Sequence, residues 1–501
     1  MSFLLFALGW TPVVLLSILA ICLKRSALEL GVYGFVYVVL LAGLIFQTPA
    51  SVVWWAAWDG FLTTLPLLIV VFLGILFSQL LIATGSLRRI VAWLLGGLAR
   101  PLHRQMLITF GLANFFEGAS IIAEPMVAPM LVVTEVKPAG AAALSIIGYS
   151  GLMSVEMAGI IITVLALVTG LPFYDLGVAA AWMSVPATLL MALCVPFFLP
   201  DAREAWRQLP LILACSLAVS LATLAAAVWL GVAIAGMVGG LILIAILLLG
   251  GGTSPDRDPA IIRDLAPFAV ILVPLILVNT IPWMQDLTLR RLIFTISLIP
   301  IHPITFTPFF SAYLYLFLAL MLTVVLLRMP QEELRQLVTV SFNKGWRALA
   351  AMGLFGSMGQ IIAYTGYAPG FGQLQQLDNI PWILAAGLKT YTGSLYPLFV
   401  PLLGWVGTFL TGYGVASLML FGELQVQAAP LLGVSATMLA AGLTVGASIG
   451  SISSPLKIAI ATAMCGAIGQ EGSILRLTIP LGVGASLLMG VVLWMVGLSG
   501  Y

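Results

Sequence analysis

The sequence predicts an all-α polytopic membrane protein with roughly 11 to 14 transmembrane helices, counting about 20 residues to a crossing. Two observations predict it. Of 501 residues 62% are apolar and 8% charged, whereas a soluble globular chain carries roughly 25% charge, so the ionisable side chains cannot cover a body of this size and the solvent is lipid. Apolar stretches also recur at spanning length from Leu4 to Val496. The formal charge of +2 leaves no long basic face to neutralise phosphates, which excludes a nucleic-acid binder. Cys22, Cys194, Cys215 and Cys465 are scattered through apolar runs without metal or redox spacing, and read as small core residues.

The first apolar run, Phe3 to Leu23, is long enough to span and is followed by Lys24 and Arg25, so it reads as a retained segment and not a cleaved leader. Runs near 8–23, 27–46 and 61–83 read as helices, with 1–60 as N-terminal scaffold. A basic segment then carries Arg88, Arg89, Arg100, His103 and Arg104. The positive-inside bias puts it in the cytoplasm as an interfacial amphipathic helix, with Trp93 in the headgroup plane. Further spans fall near 139–170, 178–199, 209–230 and 232–250. The polar stretch GGTSPDRDPAIIRD, 251–264, is the best boundary between halves. Spans near 266–283 and 305–328 and a polar stretch at 328–344 make 265–345 a second scaffold and linker. His103 and His302 read as loop residues, and Lys389, Glu423, Glu471 and Arg476 as charges at span ends.

The halves, 61–250 and 346–501, compare by register. At an offset of 294, Phe115 falls on Phe409, Gly118 on Gly412, Gly148 on Gly442 and Ser154 on Ser448. Such weak self-similarity is the mark of internal repeats. Both matching regions interrupt their own hydrophobicity. In NFFEGASIIAEPMVAPM, 114–130, Glu117 precedes Gly118 and Glu124 precedes Pro125. A carboxylate at the bilayer centre costs at least about 2.5 kcal/mol, and Gly and Pro favour a break, so a broken or re-entrant helix lining a wet cavity is expected.

The second region, 404–425, sets Thr408, Thr411, Tyr413 and Ser417 among glycines, and the third, 446–457, has a Ser-Ser-Pro break at Ser453 to Pro455 followed by Lys457. Glycines admit backbone amides to a ligand, and a half-helix starting there aims its positive end at an anion. Lys457, within apolar chain, either pairs, as with Glu124, or faces water. Glu156 lies in the counterpart of the Ser448 break.

Several of these segments resemble the lactate permease family, secondary transporters of small 2-hydroxy monocarboxylates. They are FFEGA (115–119), GWVGTFLTG (404–412), LFGELQ (420–425), SSPLKIAIA (453–461) and GQEGSILR (469–476). The resemblance is strong over roughly the last hundred residues, moderate from about Phe61 to Gly159 and thin between. It implies an ion-transporter-type fold with two inverted repeats and paired broken helices, a bacterial cytoplasmic (inner) membrane location, proton-coupled uptake and, by analogy, a homodimer. The chain also departs from the family. After Gly412 the family's Ser-Asp-Thr-Ser-Ser-Asn becomes Tyr413 to Leu418, which removes an acid; Glu124 stands where threonine is usual; and the family's lysine position is Ser451, with Lys457 six residues on.

The expected function is uptake of a small organic anion, such as lactate or glycolate, by proton symport. Gly118, Thr411, Gly412, Tyr413, Ser417, Ser453, Ser454 and Lys457 are expected to hold the substrate, and Glu117, Glu124 and Glu156 to carry the coupling proton. No cofactor or metal is expected. Sodium is the alternative coupling ion, bound by unwound carbonyls and hydroxyls at the breaks. A membrane-embedded transferase using Glu117 and Glu124 as acid and base lacks any H-E-x-x-H, G-x-S-x-G or P-loop motif, so an enzyme is not expected.

Overall fold

The computed structural model describes residues 3–23, 25–250 and 259–498; Lys24 and most of the polar boundary, 251–258, lie outside the described residues. Helices follow one another almost without interruption. α1 (Phe3–Ile21), α2 (Ala27–Leu40) and α3 (Ala50–Ala83) lead to the amphipathic α4 (Ser86–Gly96) and the short α5 (Pro101–Met106) and α6 (Ala113–Gly118). Then come α7 (Glu124–Val133), α8 (Pro138–Ser150), α9 (Ile160–Thr169), α10 (Phe173–Cys194), α11 (Ala202–Arg207), α12 (Leu209–Trp229) and α13 (Ala235–Gly250). α14 (Pro259–Thr280) and α15 (Pro282–Asp286) precede a hairpin of β1 (Phe294–Ile299) and β2 (His302–Phe306). The chain closes with α16 (Ala312–Leu326), α17 (Gln331–Ala363), α18 (Ile380–Thr392), α19 (Val400–Thr411), α20 (Gly414–Leu432), α21 (Ala436–Gly450), α22 (Pro455–Cys465) and α23 (Glu471–Leu498).

Among the described residues 10 helices are long and apolar enough to cross a membrane, with α1, α7, α9, α16 and α22 among shorter apolar ones. This is an all-α polytopic membrane protein. One expected span is divided: 139–170 is not a single crossing but α8 and α9 with two 3₁₀ turns between them.

Three other expectations are revised. The polar stretch at 328–344 is no linker but the first half of α17, opened by Glu332 and Glu333 in the first turn, where acids suit the helix dipole. β1 and β2, paired antiparallel from Phe294↔Phe306 to Ile299↔His302, take the start of the span placed at 305. α3 begins at Ala50, so the boundary at 61 falls inside a helix, as does the one at 346.

α3 and α17 run antiparallel, with Ser357 donating to the Ala57 carbonyl at 2.7 Å and Lys344 to the Gln79 side chain at 2.7 Å. They can approach this closely because a Cβ at Gly60 would overlap the Gly356 backbone, and one at Gly356 the Thr64 hydroxyl; small residues let helix backbones touch where lipid supplies no hydrophobic drive. α2 packs on α17 beside them. At the other end of α3, Arg89 of α4 pairs with Asp264 of α14 at 2.6 Å, and Ser86 donates to the same carboxylate at 2.9 Å.

Candidate functional site

Four helix interruptions build the site. After Gly118 the chain runs irregularly to Ala123 before α7; after Ser150 it makes 3₁₀ turns at Met153–Val155 and Met157–Gly159; α19 stops at Gly412; and α21 passes into a turn at Ser451–Ser453 before α22. Backbone strain collects here. Gly412 (φ 83°) takes the left-handed conformation freely, but Ser120 (62°), Met157 (50°) and Ala158 (52°) do so with side chains, at a cost of order 1–3 kcal/mol each that surrounding structure must impose. A π-helical turn at Leu107–Leu112 precedes the first break, another local irregularity common near functional sites. α22 packs on α7 and α8, the 451–453 turn packs on α8, and the 153–155 turn packs on α21. The first-half and second-half breaks therefore meet.

At their junction Lys457, in the first turn of α22, reaches across to the other half. Its Nζ donates to the Tyr149 hydroxyl at 2.8 Å, lies 3.6 Å from Glu124 Oε1 and 3.6 Å from Met153 Sδ, and sits 4.8 Å from the centroid of the Tyr149 ring. The Tyr149 hydroxyl in turn donates to Glu124 Oε1 at 2.5 Å. The side chains of Lys457 and Glu124 are only 9% and 2% exposed. Ser454 caps α22, its hydroxyl accepting from the Lys457 N–H at 3.3 Å. Glu124 opens α7, so two helix N-termini, each with a positive partial charge, border the same spot.

Glu117 is buried, and its Oε1 accepts from the Ala123 N–H at 2.8 Å; the charges of Glu124 and Lys457 act on it. Glu156 is fully buried, with neither carboxyl oxygen hydrogen-bonded among the described residues, and it feels Glu117 and Lys457. Its Cγ passes the open side of Gly236. Three carboxyls thus share one ammonium.

The other residues expected at the site divide by what their polar atoms do. The Gly412 N–H donates to the Thr408 carbonyl at 2.8 Å, and Thr411 donates to the Gly407 carbonyl at 2.8 Å and accepts from the Tyr413 N–H at 3.3 Å. Ser417 donates to the Gly404 carbonyl at 2.7 Å, and Ser453 to the Thr478 carbonyl at 2.9 Å while accepting from Trp405 Nε1 at 3.2 Å. Gly118 packs on α13, where a Cβ would overlap the Met237 amide nitrogen. These groups fasten the breaks. Tyr413 lies within reach of the Glu124 charge, and Ser454 stands behind Lys457 as the cap of α22.

Two residues of this junction carry no mark in the sequence. Tyr149 and Met153 stand in apolar chain, where an aromatic or a methionine signals only packing. Met153 explains the displaced lysine: its sulfur is 3.1 Å from Ser451 Oγ and 3.6 Å from Lys457 Nζ, so the ammonium of residue 457 arrives beside position 451.

A second buried polar group was not expected. His302 is not in a loop but opens β2, with Nδ1 2.8 Å from Asp59 Oδ2 and Nε2 2.6 Å from the Leu167 carbonyl oxygen. Glu423, read as a span-end charge, sits midway along α20, where it accepts from Gln427 at 2.7 Å. His103, also expected in a loop, lies in α5.

Comparison with known proteins follows this geometry. The family model described as L-lactate permease matches residues 5–250 and 256–498. Glycolate permease GlcA of Escherichia coli is 23% identical over 93% of this chain and 91% of its own length. The L-lactate permease of Salmonella typhi is 36% identical over 28% of this chain, an alignment spanning about a quarter (26%) of that protein. That of Streptococcus iniae is 25% identical over 67% of this chain and 72% of its own length. Among solved structures, Neisseria gonorrhoeae MtrF covers 92% of this chain and 83% of its own at 13% identity with a TM-score of 0.31, too slight a likeness to carry an argument. Since the matched ranges take in both sets of breaks and every residue around Lys457, the chain belongs to the L-lactate permease family.

Proposed function

We propose that the protein is a secondary active transporter, not an enzyme, that imports a small 2-hydroxy monocarboxylate such as lactate or glycolate by proton symport. The observation that carries this reading is the charge count at the junction of the breaks. Glu117, Glu124 and Glu156 are buried around one ammonium, that of Lys457. An uncompensated buried charge costs several kcal/mol, so the group balances itself by taking up protons. An incoming carboxylate adds one more negative charge to a site already short of cations. It is accommodated only when protons arrive with it.

The route of exchange follows from the contacts. Glu124 occupies Lys457 as an internal anion; a proton on Glu124 frees the ammonium, and the substrate carboxylate takes the vacated place between two helix N-termini. Tyr149, already both donor and acceptor there, reads the neighbouring hydroxyl. Tyr413 and Ser454 complete the wall. Alternating access then comes from the bundle of broken helices moving against the scaffold of α2, α3 and α17. By the same family likeness the protein resides in the bacterial cytoplasmic membrane, as a homodimer with inverted repeats in each subunit.

Uptake of radiolabelled lactate and glycolate into proteoliposomes under an imposed inward proton gradient tests the reading. Accumulation is expected, unchanged when choline replaces sodium. Lys457→Met is expected to lose about a hundredfold in rate, the scale of about 3 kcal/mol in a barrier. Absence of uptake for every short carboxylate would sink the substrate class, and full gradient-driven uptake by Glu117→Gln would remove that residue from proton coupling.

A further inference from the structure

Away from the central site, Asp59, His302 and Glu423 gather between the scaffold and the broken helices. Asp59 belongs to α3, Glu423 to α20, and the Leu167 carbonyl to the last turn of α9, while His302 comes from the hairpin. The Tyr364 ring, at the end of α17, stands edge-on to the imidazole with centroids 6.3 Å apart, and Tyr367 packs on Tyr364 at 5.4 Å. The titratable groups facing His302 are thus Asp59, Glu423 and these two tyrosines. Asp59 is fully buried, and the imidazole is 15% exposed.

The geometry counts the protons. A carbonyl oxygen only accepts, so Nε2, at 2.6 Å from Leu167 O, carries hydrogen. Nδ1 and Asp59 Oδ2 lie 2.8 Å apart but off the line of a hydrogen bond, and neither Nδ1 nor either Asp59 oxygen has a hydrogen-bond partner among the described residues; a buried carboxylate this close to the ring is compensated when the imidazole carries a second proton and with it a positive charge. We propose that Asp59 and His302 form a second proton-binding site, distinct from the central carboxyls, whose occupancy holds α9 against α3. When the second proton leaves, Nε2–H stays on Leu167 while the buried Asp59 carboxylate loses its counter-charge, and the α3–hairpin–α9 link opens. The proposal deepens the symport reading, because it makes packing between scaffold and moving helices depend on the transported ion. His302 lies outside the spans; burial alone would lower its pKa, but Asp59, the Leu167 carbonyl and Glu423 outweigh that and hold it above the ordinary imidazole value.

The chain has 2 histidines, so nitrogen-15 histidine labelling gives two imidazoles, and His103→Gln leaves His302 alone. In that variant both ring nitrogens of His302 are expected to be protonated at neutral pH and to titrate above about 6.5. Asp59→Asn should lower the proton affinity about tenfold or more, one unit per factor of ten. The sign for stability follows: the link stabilises fully below the unfolded imidazole's pKa, and its contribution is lost as pH rises through the folded one. The unfolding temperature should fall across that step, and Asp59→Asn should lack it. A neutral single-tautomer His302 from about pH 5 to 8 overturns the proposal, whether or not the protein transports lactate. In proteoliposomes His302→Gln should lose the acceleration by the proton gradient while keeping lactate counterflow. An unchanged pH profile of uptake also overturns the proposal, and absence of any uptake by the wild type strikes instead at the transport reading.

Discussion

Lys457 and Glu124 are an acid and a base whose separate positions, 333 residues apart in the chain, make sense only together. Each is costly alone: removing one partner of a buried pair costs about 3–5 kcal/mol, whereas removing both is often nearly neutral. Lys457→Ala and Glu124→Ala are therefore expected to lower the unfolding temperature more singly than the double variant does, with a coupling of about 0.5–3 kcal/mol read from a thermal unfolding cycle in detergent; strictly additive losses would mean that the pair does not interact. Both residues were legible because an ionisable group inside an apolar run demands solvation. Asp59 bears the same signal, but a span drawn from 61 leaves the acid just outside it, whereas α3 begins at Ala50. Tyr149 and Met153 were not legible at all, since what distinguishes them is who faces them across 304 to 308 residues of chain.

Breaks were more legible than the helices around them. Gly118, Pro125, Gly412 and Pro455 mark the interruptions locally, through conformations that glycine permits and bonds that proline denies. Hydropathy alone misjudged the neighbouring elements. β1 and β2 are rich in Phe, Ile and Thr, so they are as apolar as a span, and only their alternation with Ser and Thr says strand. The polar half of α17 failed as a span for the opposite reason, although Gln, Glu, Leu and Arg are strong helix formers. Where two such helices touch, glycine decides. Gly356→Val is expected to cost about 1–3 kcal/mol through overpacking against Thr64, seen as a lower unfolding temperature, while the same change at Gly370, which has open space around it but a left-handed φ of 84°, should act through its turn and leave the α3–α17 contact intact.

At the scale of the molecule, charge orients the fold. Arg25, Arg89, Arg328, Arg335 and Lys344 lie at the end of the bundle where α3 finishes and α17 begins, and the hairpin with Asp59 and His302 lies at the opposite end. Arg290 and Arg291 stand at the hairpin end, but the larger basic group lies at the other, so the bias of basic residues toward the cytoplasm makes the hairpin the expected outer end, with the proposed second proton site on that side. Cys22 is exposed near Arg25, so a membrane-impermeant maleimide added to intact cells should leave it unlabelled and should react with a cysteine placed at the hairpin by Thr295→Cys. The reverse pattern would invert the orientation.

α17 has a further use. Its 33 residues extend about 50 Å at 1.5 Å per residue, against a hydrocarbon core about 30 Å thick. The turns before Ser341 are largely exposed, and burial along the helix begins at Ser341 and Gly345, so the surplus is expected to project from the bilayer as a stiff mast. A rigid helical fusion grafted into the turn before Gln331 would inherit that stiffness, and would give single-particle imaging a landmark on a protein that otherwise vanishes into its detergent belt.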